Sequence, residues 1–590
     1  MLLAFALAVA VLGPMLHRGS PLRYDLVSVP RPVLTPDALG LGDRLPRAVP
    51  LDAASWLLGQ ILGGWVSQGL ALTALLLAGW GAARLVGGRP GWSAGRMVAT
   101  VVAVCNPFVL EQLAIGHVPH LVSYGVLPWA ALAGHRLVSG RAPALPAAAG
   151  LSAVLLLGSL TPGGGLLCAG AALAGLSVGG RGRGGRLVAG GLLVAIAQTP
   201  WLVAGLAHPG LRSGTGPADR ADVGQFAVRA ETSAGRTVDA LGLGGMWNAA
   251  ALPASRHTVL ALLSTMLLIG LALIGLWVAM RDPARRPALV AGGVLAAAGY
   301  LIALLPVLPG GSALLARLVQ SIPAAGLLRD GHRWLAWPAI GIAVLCGYAT
   351  DRIGAGLAGR YQVGVPAAQV VLPAAAAVLL SGLVVATVPD LFGAVAGRLT
   401  ARQYPADWAT ARTTLAAATD SSRLLVLPWQ PFRRFDWTAA GTVLDPAPRY
   451  LPREAVVSDA LRVGGRTLPE EGPLARQLAA ALADDRLTEP ELRSAAIGWV
   501  LIERGTPGRL PVLPTVVPVL DGPDLHLSRL PGSLPEPVPV PAGRRNLVLI
   551  GLVLPGVATL GLTAVAFGSL IRGQRRRRLL GYPPVIERCH

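Results

Sequence analysis

The sequence predicts a polytopic α-helical membrane protein of about 12 spans, followed by a C-terminal extracytoplasmic domain of α/β or α+β type. Three observations carry that expectation. The 590 residues are 53% hydrophobic and only 14% charged, whereas a soluble domain carries about 25% charged residues. Apolar stretches recur along the chain, bounded by Arg, Gly and Pro, and about 20 such residues cross a hydrocarbon core with every backbone group bonded inside a helix. Residues 391–544 break the pattern with the composition of a water-soluble fold.

In chain order the expected spans are 1–16, 63–83, 96–113, 119–137, 143–160, 163–178, 186–207, 257–280, 287–307, 334–350, 367–389 and 545–571. The first is short, with no basic region before it and no small-residue cleavage site, so it reads as a retained span and not a signal peptide. A tight break, Thr161-Pro162-Gly163-Gly164-Gly165, divides the fifth from the sixth. Pro200, Pro338 and Pro373 lie inside spans, where membrane helices tolerate them. The chain thus divides into a membrane domain at 1–390, a soluble domain at 391–544, and a last span with a basic tail at 545–590. Within the soluble domain, Tyr404–Trp408 begins an amphipathic stretch. Arg423–Trp429 and Ala496–Ile502 read as buried strands, and Pro511–Pro541 reads as an extended linker. No internal repeat is evident.

All 50 basic residues are arginine, and they set the formal charge of +20. They crowd short loops: Arg84/Arg89/Arg96, Arg136/Arg141, Arg181/Arg183/Arg186, Arg281/Arg285/Arg286, Arg352/Arg360, and the run from Arg572 to Arg578. Every one of these falls on one side of the membrane if the span count is even, which is the positive-inside pattern. Both termini are then cytoplasmic, and 17–54, 208–256, 308–333 and 390–544 lie outside a plasma membrane. Charge of this distribution is explained by topology, so nucleic acid is not an expected partner. Cys105, Cys168, Cys346 and Cys589 have no metal-ligand spacing and read as small apolar residues.

The polar residues on the outer side carry the chemistry. Arg23, Tyr24 and Asp25 open the first external loop, which also holds Asp37, Asp43 and Asp52. Asp25 sits near the bilayer surface, where a carboxylate can take a proton from a hydroxyl; a loop aspartate paired with Arg23 is the alternative. Asp52 reads as a helix cap. A second cluster comprises Asn106, Glu111, His117, His120, Tyr124 and Trp129 around the third and fourth spans. Glu111 and His117 suit a sugar hydroxyl or a divalent cation, although the spacing is not that of a zinc site, while Tyr124 and Trp129 suit interface anchoring. The third cluster, Arg329, Asp330, His332 and Arg333, places two arginines outside against the positive-inside trend. Phosphate contacts, lipid headgroups and an Arg329–Asp330 pair are all compatible with it. The loop 208–256, with Arg212, Arg220, Arg229, Glu231, Arg236, Asp239 and Trp247, reads as an amphipathic interfacial helix. Charged residues avoid the middle of every span, unlike ion-coupled transporters.

Residues 20–52, together with NPFVLEQLAIGHVPHLVSYGVLPW and LLRDGHRW, resemble the GT-C-type, polyprenyl-phosphate-sugar-dependent membrane glycosyltransferases, the arabinofuranosyl- and mannosyltransferase-like proteins of the actinobacterial envelope. RLLVLPWQPFRRFDW to LDPAPRY is similar to the periplasmic domain that follows in that group. The resemblance covers roughly residues 1–390 and implies a GT-C-like membrane fold. It further implies a polyprenyl-phosphate-linked sugar donor, an envelope glycan or glycolipid acceptor, and inverting transfer at the outer face of the lipid bilayer. Asp25 matches the catalytic base of the first external loop, although the paired Asp-Asp or Asp-Glu of the strongest signatures is absent. Arg23, Tyr24, Asp43, Glu111, His117, His120 and Tyr124 would then surround substrate, and Arg329, His332 and Arg333 would hold donor phosphate. No cofactor is required by this reading, and a divalent cation stays open. Two other functions fit the same topology: a catalytically silent assembly or glycan-binding protein that works through residues 390–544, or a flippase for lipid-linked saccharide.

Overall fold

The structure is a computed structural model that describes residues 1–88, 92–179, 183–212, 223–322, 324–360, 368–438, 441–463 and 466–579. Of the residues singled out above, Arg89, Arg181, Arg220 and Cys589 lie outside them.

Helices occupy all twelve expected segments. Among the described residues, eight helical segments are long and apolar enough to cross a bilayer, and three more (Leu2–Leu16, Ala144–Gly158 and Pro162–Ser177) are apolar but shorter. The remaining one, Val118–Ser139, carries His120, Ser123 and Tyr124 inward. Each of the twelve segments is therefore helical, while length and composition support eight full crossings among the described residues. The segment Ala94–Ala114 is the axis of the bundle: 94% of its most apolar window is buried, against 17% for Arg286–Val307 and Ala542–Ser569 at the periphery. Leu301, Val553 and Leu560 on those outer helices are exposed, as a lipid-facing surface requires.

Close helix packing rests on small residues, because apolar side chains gain nothing by leaving lipid for a partner of equal polarity. A Cβ at Gly134 would stand 2.4 Å from Ala172 O, and one at Gly175 would stand 2.0 Å from Ala131 O. Those two positions seat Val118–Ser139 directly against Pro162–Ser177. The axial segment itself breaks at Cys105-Asn106. Asn106 Oδ1 accepts the Val109 N–H at 3.0 Å and its Nδ2 donates to Val102 O at 2.8 Å, while Pro107 starts a second short helix, Pro107–Ala114. That break presents Glu111 and Gln112 on a separate eight-residue helix.

The first long loop, residues 17–54, is not free chain. Strands β1 (Ser20–Arg23) and β2 (Leu26–Val27) form an antiparallel hairpin, and β1 also pairs with β3 (Ala401–Arg402), which leads into the soluble domain. That domain is built on β4 (Arg423–Leu427), β5 (Phe432–Arg433), β6 (Val443–Leu444), β7 (Ala455–Val456), β8 (Leu461–Val463), β9 (Arg466–Leu468), β10 (Ile497–Glu503), β11 (Val517–Asp521) and β12 (Leu525–Arg529). Its five-stranded sheet has the order β11-β12-β10-β4-β7, with β4 parallel to both β10 and β7. Both faces are covered: Leu424 and Val426 pack with Trp408, while Leu425 and Leu427 pack with Leu478 and Leu492. The continuous apolar run Leu424–Leu427 follows from that double burial.

Two expectations are corrected here. Residues 511–541 are not linker throughout, because β11 and β12 form a hairpin at the edge of the sheet. Leu525 and Leu527 bury completely there, which outweighs the surrounding prolines. Nor do the described residues of 208–256 form an interfacial helix; they fold as turns, with the six-residue helix Arg236–Leu241 as their longest regular piece between 223 and 256. Their polar side chains turn inward, as described next.

Candidate functional site

Asp25 stands at the tip of the β1–β2 hairpin. Arg23 pairs with Leu26, so Tyr24 and Asp25 form its two-residue turn. Two-residue turns need a positive φ, normally supplied by Gly or Asn; here Tyr24 takes it, at φ 42. The surroundings over-determine that conformation. Tyr24 N–H donates to Thr442 O at 2.6 Å, Leu444 N–H donates to Tyr24 O at 2.8 Å, and Asp25 N–H donates to Ile115 O at 3.2 Å. Gly116, at φ 85, lets the turn lie flat on the helix Pro107–Ala114 and its exit, since a Cβ there would stand 2.4 Å from Arg23 O.

His117 Nε2 lies 2.8 Å from Asp25 Oδ2, with the imidazole buried and the carboxylate 39% exposed. Burial acts to raise the Asp25 carboxyl. The His117 contact, with the positive fields of Arg333 and Arg449, outweighs burial and holds it below the usual range. Asp25 lines an open cleft. Asp37, Arg44, Asp52 and Arg449 share the wall, and Val66 and Leu70 supply an apolar side. Asp52 pairs with Arg449 at 2.9 Å and is not a capping side chain. Asp37 is pushed up to about 7 by burial, offset by Arg44. An ionised carboxylate beside an apolar wall and two arginines can receive a hydroxyl and an anionic group together.

Behind His117 runs a buried polar chain. His117 Nδ1 stands 2.8 Å from Gln112 Oε1, and Gln112 Nε2 stands 2.9 Å from His332 Nδ1. His332 Nε2 is 3.0 Å from Glu111 Oε2, off the line of an ideal hydrogen bond, and the ring stacks on Phe108. Glu111 accepts Met246 N–H at 3.0 Å and Arg256 Nε–H at 3.1 Å, and Arg256 also bonds Glu231. Glu231 is pushed up to about 8, first by burial and then by Glu111. Asp239 secures this loop by accepting Glu231 N–H and Thr232 N–H at 2.8 and 3.0 Å.

The residues anticipated from sequence thus separate into three groups. Asp25 and His117 meet, and Arg333 joins them, its Nη2 3.4 Å from His117 Nε2 and its Nε 2.7 Å from Asp330. Glu111, His120, Tyr124 and His332 are buried away from the cleft: His120 Nε2 donates to Arg333 O, and Tyr124 Oη donates to Ala103 O at 2.8 Å. Arg23, Asp43 and Arg329 are joints. Arg23 donates to Ala114 O and Ala251 O, Asp43 accepts Leu474 N–H at 2.9 Å, and Arg329 pairs with Glu471 at 3.2 Å. Glu111, His117 and His120 do not converge as metal ligands, and among the described residues no other set of three His, Cys, Asp or Glu side chains does. Sequence reasoning missed Gln112, Arg44, Arg256 and Arg449. Arg256 alone left a trace, as a basic residue at the outer end of a span.

The solved cryo-EM structure of the arabinofuranosyltransferase AftD from mycobacteria matches 90% of this chain with a TM-score of 0.53 at 19% identity. A mutant form of AftD matches with 0.52 and 19%. ArnT from Cupriavidus metallidurans matches 91% of the chain at a TM-score of 0.37 and 14% identity, a distance at which nothing is argued from it. This chain spans about 40% of the AftD chain. No family model and no curated protein sequence matches it. At these identities the likeness is one of fold: the chain is a multi-pass membrane protein that shares the fold of the AftD structure over 90% of its length.

Proposed function

We propose that the chain is an integral-membrane, inverting glycosyltransferase of GT-C type. It moves a sugar from a polyprenyl-phosphate donor to an envelope glycan or glycolipid on the outer side of the plasma membrane, with both termini cytoplasmic and residues 391–544 outside. The single observation that carries this reading is Asp25, held ionised at the tip of a strained turn and open to a cleft with one apolar wall. In this scheme Asp25 takes the proton of the acceptor hydroxyl as the acceptor oxygen bonds to the anomeric carbon from the face opposite phosphate. The apolar side, Val66 and Leu70, receives the lipid-borne donor. Arg333, Arg44 and Arg449 meet its phosphate, since guanidinium groups bind phosphate oxygens in pairs. His332, fully buried behind Gln112, takes no part in that contact.

Asp25→Asn tests the proposal. In a strain lacking the gene, wild type should restore the missing envelope glycan. The variant at matched abundance should not, with transfer down about 10²–10⁴-fold, the range for losing a positioned base. Normal transfer by a folded Asp25→Asn protein would remove Asp25 from the reaction.

A further inference from the structure

The buried chain behind Asp25 fixes more than position. Glu111 accepts two donated hydrogens, from Met246 N–H and Arg256 Nε–H, so it serves as a carboxylate. The imidazole nitrogen nearest it, His332 Nε2 at 3.0 Å, must then carry hydrogen. With that hydrogen on Nε2, Nδ1 faces the Gln112 amide Nε2 at 2.9 Å as its acceptor. The amide is thereby turned with its oxygen towards His117, and Oε1 at 2.8 Å from Nδ1 requires hydrogen there too. A second contact points the same way from the other side: Arg333 Nη2, a donor, faces His117 Nε2 at 3.4 Å.

We infer that Gln112 and His332 are positioning residues for the base, holding His117 with hydrogen on Nδ1 so that bare Nε2 meets Asp25 Oδ2 and the two side chains bind one proton between them. The inference rests on the reading of Asp25 as base. Two lone pairs 2.8 Å apart draw a proton into the contact; it rests on the imidazole and leaves Asp25 the carboxylate described above. In transfer the acceptor O–H bond breaks and its oxygen bonds to the anomeric carbon. The C–O bond to phosphate breaks, its electron pair leaving with phosphate, and the proton passes by way of Asp25 to His117 Nε2. Asp25 touches the acceptor, His117 Nε2 takes the proton once the resident one has left, and Gln112 keeps the ring's own hydrogen on Nδ1 and off that nitrogen. Activity therefore rises with pH as the pair loses its resident proton. That apparent titration belongs to the pair and not to either residue.

The groups that face the pair are Arg333 with Asp330 behind it, His120, Arg449, Arg47 and, across the cleft, Asp37. All stay in place in two variants at Gln112. Gln112→Met removes the oxygen that pins Nδ1–H, so neutral His117 turns its hydrogen to Nε2 and satisfies Asp25 without an extra proton. Plateau kcat should fall about tenfold or more, and the ascending limb should move about one unit towards acid. Gln112→Glu keeps an acceptor opposite Nδ1 and adds negative charge, so the limb should move towards alkali.

¹⁵N spectra of His117 in the detergent-solubilised protein read the tautomer without any transfer: Nδ1–H is expected in wild type and in Gln112→Glu. Nε2–H in the neutral wild-type ring, or shifts of the limb in the same direction for both variants, would overturn the inference. Wild type showing Nδ1–H but transferring no sugar from any polyprenyl-phosphate donor would defeat the transferase reading and leave the tautomer assignment standing.

Discussion

Glu111 and Arg256 are both less than 2% exposed, and each has exchanged water for the other and for backbone donors. Removing one partner of such a pair strands the other, at about 3–5 kcal/mol. Glu111→Gln should therefore lower the thermal midpoint in detergent by several degrees, and a midpoint unchanged within a degree would show that the pair is not structural. Glu231 adds a pH dependence whose sign can be stated. Its carboxyl rises from 4.5 to about 8 on folding, so its stabilising contribution is full below the unfolded value and is lost as pH rises through about 8. Wild type should melt at lower temperature at pH 9 than at pH 6, and Glu231→Gln should flatten that slope; equal slopes would remove Glu231 as its cause. These ion pairs were not legible in the sequence. Glu111 and Arg256 lie 145 residues apart, and periodicity reports only neighbours on one element. Asp25 and His117 were legible as residues of interest because both sit at outer ends of spans. Their meeting was not, since it depends on Gly116 and the Tyr24 turn.

At the scale of elements, hydropathy found a helix in each of the twelve expected spans, because a bilayer leaves the backbone few other solutions. It said nothing of which helices touch. The 75 glycines are visible in the sequence, yet only the fold separates those that admit a neighbour from those that face lipid. Gly175 admits Ala131 O, whereas Gly150 has no atom within 4 Å of the place its Cβ would take. Gly175→Leu should push Val118–Ser139 and Pro162–Ser177 apart, destabilising by about 1–3 kcal/mol as overpacking does. Gly150→Leu should leave the melting temperature within a degree of wild type. Equal effects at the two sites would mean that helix propensity, and not packing, governs both. Strands were harder. Leu424–Leu427 and Ile497–Ile502 announced themselves by continuous apolar runs, but β11 and β12 were hidden among prolines. There the signal is only the alternation of Leu525 and Leu527 with polar residues, over too few positions to weigh against Pro511 to Pro541.

Across the whole molecule, the domain at 391–544 holds the turn that carries Asp25, the base of the proposed reaction. β3 zips onto β1, the Tyr24 backbone bonds to Thr442 and Leu444, Tyr404 Oη donates to Ser28 O, and Arg449 reaches Asp52 across the cleft. Glu471 ties Arg47 of the first loop to Arg329 of the loop before the span beginning near Ala336. A four-residue strand with a positive-φ turn cannot hold that shape alone, since a lone hairpin is marginal at best in water. Excising residues 406–534 behind a short flexible link should therefore leave the helices inserted while the loop 20–52 loses order. Amide exchange in that loop should accelerate by orders of magnitude, and transfer should fall as far as in Asp25→Asn. A milder break, Glu471→Ala, should raise exchange in the same loop with a smaller loss of transfer. If instead the excised protein transfers normally, the loop holds its geometry from the membrane side alone. If transfer is lost while the loop stays protected, the soluble domain acts on the acceptor directly, and the glycan-binding role becomes the one to pursue.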